Sequence, residues 1–181
     1  MILNSKILLS LTKSRLAISV VFSALAGYIL AADDIDFLNI FLLLVGGLCI
    51  VGASNSFNQI IEKDKDSMMD RTKNRPLPQN QISTLRAFWI SIFLTLVGLF
   101  CLYLINYKTV FFAALSVFLY TCVYTPLKPI TPLSVFIGAI PGAIPFMLGW
   151  VAATNQFGIE PGTLFMIQFF WQFPHFWSLG W

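Results

Sequence analysis

Three residues with metal-ligating side chains stand four apart near the middle of the chain: Asn58, Glu62 and Asp66. In a helix, each step of four turns a position only about 40° around the axis, so the three share one face. Asp70 extends the row, whereas Asp64 falls off it. Carboxylates stacked this closely repel one another unless a cation neutralises them. Mg²⁺ suits the task, because it takes oxygen ligands and is commonly held by one or two carboxylates plus substrate phosphates. Arg71, Lys73 and Arg75 follow at once, and Arg meets phosphate through paired hydrogen bonds. Pro76 and Pro78 then end the helix and fix a loop. Together these residues describe a site for a diphosphate at a helix end. The simpler reading is a solvated loop rich in bases; it accounts for the bases but not for acids at a spacing of four.

The elements that must position this stretch are membrane helices. Of the 181 residues 57% are hydrophobic and only 10% charged, and mean hydropathy is +0.80. A soluble domain carries roughly a quarter charged residues, so the chain belongs to the membrane class. The net charge of +3 is too small and scattered for a nucleic-acid binder. A hydrocarbon core needs about 20 apolar residues in helix. Six spans meet or approach that length: 16–32, 37–57, 85–105, 109–124, 133–154 and 163–181. None alternates polar with apolar residues as a barrel strand does, so the expected fold is an all-α transmembrane bundle. The chain reads as a single membrane domain over 1–181.

Orientation follows from the bases. Lys6, Lys13 and Arg15 precede the first span, six more lie between Lys63 and Arg86, and Lys128 follows the fourth span. All ten fall on one side, against Lys108 alone on the other, so that side is expected to be cytoplasmic. Asp33, Asp34, Asp36 and Glu160 fall on the outer side.

Cys49, Cys101 and Cys122 sit in apolar runs without metal-ligand spacing and read as small buried hydrophobes. Two segments concentrate Pro and Gly. TPLKPITP, residues 125–132, is a turn-rich inner loop; GAIPGAIP, residues 138–145, lies within the fifth span, which is expected to bend or break there. Asp70-Arg71 between spans two and three also suits a transporter of the major facilitator type, although the Gly of that motif is replaced by Asp66. The one histidine, His175, sits in an aromatic run with Trp171, Gln172 and Trp177; packing within that run is its simplest reading.

NxxxExxxD followed by RTxNRPLP, within NQIIEKDKDSMMDRTKNRPLP (residues 58–78), resembles the first motif of the UbiA-type intramembrane prenyltransferases. YTPLKPITPLSVFIGAIPGAIPFMLGW (residues 124–150) and WQFPHFW (residues 171–177) agree in order, and the set is most similar to the branch that attaches farnesyl to heme. The resemblance covers roughly residues 12–181. It implies an all-α bundle of about nine transmembrane helices, some six of them present here. It further implies transfer of farnesyl from farnesyl diphosphate to a vinyl group of heme b, with water supplying a hydroxyl, to give heme O on the route to heme A. A bacterial inner membrane is the expected location, and a heme A synthase the expected partner. An aromatic quinone or chlorophyll precursor is the alternative acceptor. Carried onto this chain, Asn58, Glu62 and Asp66 hold Mg²⁺, with Asp64 a weaker candidate beside the substrate. Arg71 and Arg75 neutralise the diphosphate, joined by Lys128 and Tyr124; His175 contacts heme iron or a propionate. The family's second acidic motif would follow Trp181, so the chain is expected to be an N-terminal part of the enzyme, inactive alone.

Overall fold

A computed structural model describes residues 5–179. The described residues are helical, with short connections and no strand. A short α1 (Ser5–Leu11) turns into α2 (Ser14–Ala31), and α3 (Phe37–Ile61) passes directly into α4 (Lys63–Met68). After an irregular loop come α5 (Thr84–Ile105) and α6 (Tyr107–Phe118). The latter continues as a π-helical segment (Leu119–Tyr124) and the single turn α7 (Thr125–Leu127). Two long helices close the described chain: α8 (Ser134–Thr154) and α9 (Ile159–Leu179).

Among the described residues, five segments are long and apolar enough to cross a membrane: α2, α3, α5, Tyr107–Leu127 and α8. They match the first five expected spans and make the protein an integral membrane protein. The sixth expected span corresponds to α9, which has the length but is not among the five; Glu160, Gln168 and Gln172 interrupt it. Its expected end at Trp181 lies outside the described residues, as does the side chain of Trp177.

Polar residues start the helices where hydrophobic periodicity gives no signal. The Asp36 carboxylate accepts from the Leu38 and Asn39 amides (2.8 and 3.4 Å), Ser83 accepts from Arg86 N (3.3 Å), and Asn106 accepts from Thr109 N (2.8 Å). Each satisfies amides left open in a first turn. Asn106 also donates to the Val151 carbonyl (3.1 Å), tying α6 to α8.

In the membrane the helices pack through small residues. A Cβ at Gly149 would collide with the Ala24 carbonyl, and one at Gly27 with the Phe146 carbonyl, so α2 and α8 meet backbone to backbone. Lipid gives no hydrophobic drive between helices, and such close approach supplies dispersion contact instead. Of the expected bend or break in α8, a break does not occur: Pro141 and Pro145 lie inside one continuous helix. Neighbours on three sides hold it, with α2, α6 and α9 all packed against it. The main core cluster gathers there, around Ala24, Tyr28, Ile144, Met147 and Val151.

A second cluster forms at the base-rich end, where Leu77 of the RPLP stretch is buried with Leu11, Ile82 and Ala87. Pro76 is buried as well. These contacts fold the loop after α4 back under the bundle.

Candidate active site

The row of acids is built by two helices in series. The α3 helix ends at Ile61, and Glu62 leaves helical geometry with φ −91° and ψ 5°. The hydrogen-bond ladder nevertheless continues, from Glu62 N to Asn58 O (2.9 Å) and from Asp66 N to Glu62 O (2.8 Å). Asn58, Glu62 and Asp66 therefore keep one face, and all three are buried. Met69 is extended and ends α4. Asp70 thus leaves the row it was expected to continue: its side chain is 96% exposed and pairs with Lys73 (2.6 Å). Asp64 is exposed on the other side of α4.

Each acid of the row has its own cation. Asp66 accepts from Arg75 Nη1 at 2.6 Å, and the Thr72 hydroxyl donates to the Asp66 carbonyl (3.0 Å). The burial of Pro76 and Leu77 returns the chain far enough for Arg75 to reach back nine residues. Glu62 is paired with Lys128 at 3.1 Å, and Lys128 follows α7 on a different part of the bundle. The expected repulsion between stacked carboxylates is thus met here by Arg and Lys. Arg71 is exposed, and its guanidinium joins neither ion pair.

Asn58 is oriented from across the bundle. Its Nδ2 donates to Thr125 Oγ1 (3.3 Å), and that hydroxyl donates to the Tyr120 carbonyl (2.8 Å). Pro126 has no amide with which to close an ordinary turn, and the turn before it is widened, so that Thr125 N bonds Tyr120 O five residues back. Isolated π turns of this kind are frequent at functional sites.

One further base reaches the cluster and was not legible in the spacing. Lys13, in the turn between α1 and α2, interacts electrostatically with Arg75, Glu62, Lys128 and Asp66. Burial first, and then the Arg75 guanidinium, push its ammonium down to about 8, while Glu62 and Asp66 pull it upward. Lys13-Ser14-Arg15 looks like an ordinary basic flank before a first span, and no local signal separates Lys13 from Arg15. Thr125 was likewise missed, since its role depends on the widened turn.

A cavity of about 500 Å³ lies against α3 about one turn before Asn58. Asn55, one turn before Asn58, lines it, as do Tyr120 and Tyr124 from the π segment. Its remaining walls come mainly from α2, α8 and α9. Gly138 leaves room for the Tyr124 ring, and Gly142 for the Gln172 carboxamide. Gln172 Nε2 donates to the Ala139 carbonyl (3.0 Å). His175 also lines the cavity, its ring stacked on Trp171 with centroids 5.1 Å apart.

The donor set fits Mg²⁺ in one respect. Glu62, Asp66 and Asn58 offer only oxygen through buried side chains on one face, the ligand type Mg²⁺ takes. Among the described residues no three His, Cys, Asp or Glu gather into a metal site. The remaining positions would have to be filled by substrate phosphate and water, the usual arrangement for this ion.

Comparison with known proteins agrees with this geometry. The model of the UbiA prenyltransferase family matches residues 20–181. The chain is 65% identical to a protoheme IX farnesyltransferase of Flavobacterium psychrophilum over 174 residues, covering 94% of this chain and 58% of the relative. It is 66% identical to the protein of the same name from Christiangramia forsetii over 171 residues, covering 57% of that protein. The chain therefore spans a little over half the length of these curated relatives. Among solved structures it resembles a digeranylgeranylglyceryl phosphate synthase (TM-score 0.82, 22% identity, 91% of this chain and 58% of that one). It also resembles a UbiA homologue from Archaeoglobus fulgidus bound to GPP and Mg²⁺ (TM-score 0.73, 16% identity, 90% of this chain and 60% of that one). At these identities the structures share the fold.

Proposed function

The chain belongs to the UbiA prenyltransferase family, and from that premise we propose that the whole protein transfers farnesyl from farnesyl diphosphate to a vinyl group of heme b, giving heme O. The observation that carries this reading is the buried Glu62–Asp66 pair, each acid joined to a base, at the end of the helix α3 that with α2, α8 and α9 lines a cavity. The names of the curated relatives supply the acceptor. The family assignment leaves the transporter reading without support.

In this mechanism the diphosphate lies against the acidic face and the farnesyl chain enters the cavity. Asn58, Glu62 and Asp66 would hold Mg²⁺, which when bound neutralises phosphate charge. As the allylic C–O bond ionises, negative charge grows on the diphosphate. Arg75 and Lys128 stand where that charge develops, and Arg71, exposed in the loop, adds only a solvent-screened charge. Fixed charge placed ahead of the reaction lowers the barrier without having to reorganise. Apolar walls such as Leu16, Val20, Ile50 and Phe146 shield the farnesyl cation from premature water. The vinyl group of heme b then forms the new carbon–carbon bond with the farnesyl cation, and water adds to the resulting cation at the carbon next to the macrocycle and loses a proton. Tyr124 shapes the cavity wall, and the stacked Trp171–His175 pair offers a face or a ligand to the heme.

We place the acidic site on the cytoplasmic side of a bacterial inner membrane, because ten of the eleven bases fall on that side. A heme A synthase would be the natural recipient of the product. The 181-residue chain by itself is expected to be inactive, since only two carboxylates gather at the site among its described residues.

The deciding experiment is conversion of heme b to heme O by the purified full-length protein with farnesyl diphosphate and Mg²⁺, followed by mass spectrometry. Heme O formation that disappears on chelation is expected. Prenylation of an aromatic quinone precursor, with heme b untouched, would overturn the assignment.

A further inference from the structure

We propose that Lys13 is a diphosphate-binding residue, aimed at the acidic site by a polar clasp between α1 and α3; this rests on the diphosphate reading given above. Three side chains on the α3 helix build the clasp. Asn55 Nδ2 donates to the Thr12 carbonyl (3.2 Å), and Ser56 Oγ to the Leu11 carbonyl (3.4 Å). Gln59 Nε2 donates to the carbonyls of Ser10 (3.1 Å) and Leu11 (2.8 Å). Carbonyls at a helix C-terminus lack partners within the helix, and here the helix that carries Asn58 and leads into Glu62 supplies them. Asn55, Ser56 and Gln59 are all buried, so the end of α1 is fixed relative to the acids.

Directly after the clasp, Lys13 takes the left-handed conformation, with φ 47° and ψ 56°. Only two other non-glycine residues among those described have positive φ, Asn80 and Asn155, and asparagine tolerates that region far better than a long side chain. An unfavourable backbone state persists only where its surroundings impose it, and such states cluster at functional sites. The clasp sets Lys13 beside the stretch of α3 that leads into Asn58, within electrostatic reach of Glu62, Asp66, Arg75 and Lys128.

Lys13 is not needed to neutralise the acids. Asp66 already holds Arg75 and Glu62 holds Lys128. Among the described residues the Lys13 ammonium takes part in no hydrogen bond or ion pair; the residue is partly buried and within electrostatic reach of Arg75 and Lys128. Three bases against two carboxylates leave an excess of positive charge. An anion with several oxygens resolves that excess, and the diphosphate end of a prenyl donor has this chemistry.

The test measures binding of inorganic diphosphate with Mg²⁺ to the full-length protein by calorimetry, so the acceptor plays no part. Lys13→Gln should weaken binding by about tenfold, the loss of one charge-assisted contact. Lys13→Arg should stay within about threefold of wild type, because the charge and donors remain. Lys65→Gln, which removes the same charge from an exposed position on α4, should change affinity by less than about twofold. Lys13→Met keeps the aliphatic stem and replaces the Gln variant if that one does not fold. Wild-type affinity in Lys13→Gln or Lys13→Met, or an equal loss in Lys65→Gln, would overturn the proposal. Equal affinity in wild type and Glu62→Gln would instead remove the diphosphate reading itself.

Discussion

The charged mouth around Glu62 and the seam between α2 and α8 lie in one bundle and are built on opposite principles. At the mouth, two buried acids face three bases brought from different parts of the chain: Lys13 before α2, Arg75 after α4 and Lys128 after α7. At the seam, Gly27 and Gly149 let two backbones touch, with no charge involved. A buried ion pair contributes little net stability but is costly to leave half-made. Close packing contributes stability and tolerates no added volume. The mouth therefore spends stability on placing charge, while the seam holds the frame that makes the placement possible. Changes at the first should register in chemistry, and changes at the second in folding.

The largest expected effect tests the mouth. Asp66→Asn in the full-length protein should lower turnover by about 10²- to 10³-fold, the usual loss when a preorganised electrostatic group is removed, while the protein remains folded by circular dichroism. Turnover within a few-fold of wild type would remove Asp66 from the chemistry.

Next comes the seam. Gly149→Val sets a side chain against the Ala24 carbonyl, and backbone cannot move aside as a flexible side chain can. It should cost about 3 kcal/mol, at the upper end for overpacking, seen as a fall in melting temperature in detergent. Turnover per folded molecule should hold. A stable but inactive Gly149→Val would blur the distinction between the two regions.

Thr125→Val probes the link between them. It removes the acceptor of Asn58 Nδ2 and leaves a buried donor unpaired, a cost of about 1–3 kcal/mol. We expect roughly tenfold slower turnover and a higher Mg²⁺ requirement, since Asn58 is assigned to the metal; an unchanged requirement would remove Asn58 from the metal site.

The smallest effect is expected at Arg71. It is exposed and stands apart from both ion pairs, so Arg71→Ala should reduce kcat/KM by only about two- to threefold, as for an exposed charge. A loss as large as that of Arg75→Ala would show that the loop closes over the diphosphate and carries Arg71 inward.

Much of this frame was readable beforehand. The spans through residue 154 follow from apolar length, and the row Asn58–Glu62–Asp66 follows from helical spacing. Its extension to Asp70 failed because Met69 is extended, and no residue between Asp66 and Asp70 announces that end. GAIPGAIP was expected to bend or break the fifth span; α8 runs on as one helix through Pro141 and Pro145, packed against α2, α6 and α9. Arg71 and Arg75 look equivalent as letters; burial of Pro76 and Leu77 brings one to Asp66 and leaves the other in solvent.

What the sequence determined by itself was whatever depends on neighbours along the chain: membrane residence, helix positions, the shared face of the acids and the family motifs. Helical periodicity and apolar length are local quantities, so a string of residues states them directly. Only the tertiary structure decided which cation serves which acid, that Thr125 orients Asn58, and that Lys13 stands apart from Arg15. Those facts depend on distances across the bundle, set by the α1–α3 clasp, the widened turn before Pro126 and the buried RPLP loop, and electrostatic energy follows distance in space rather than along the chain.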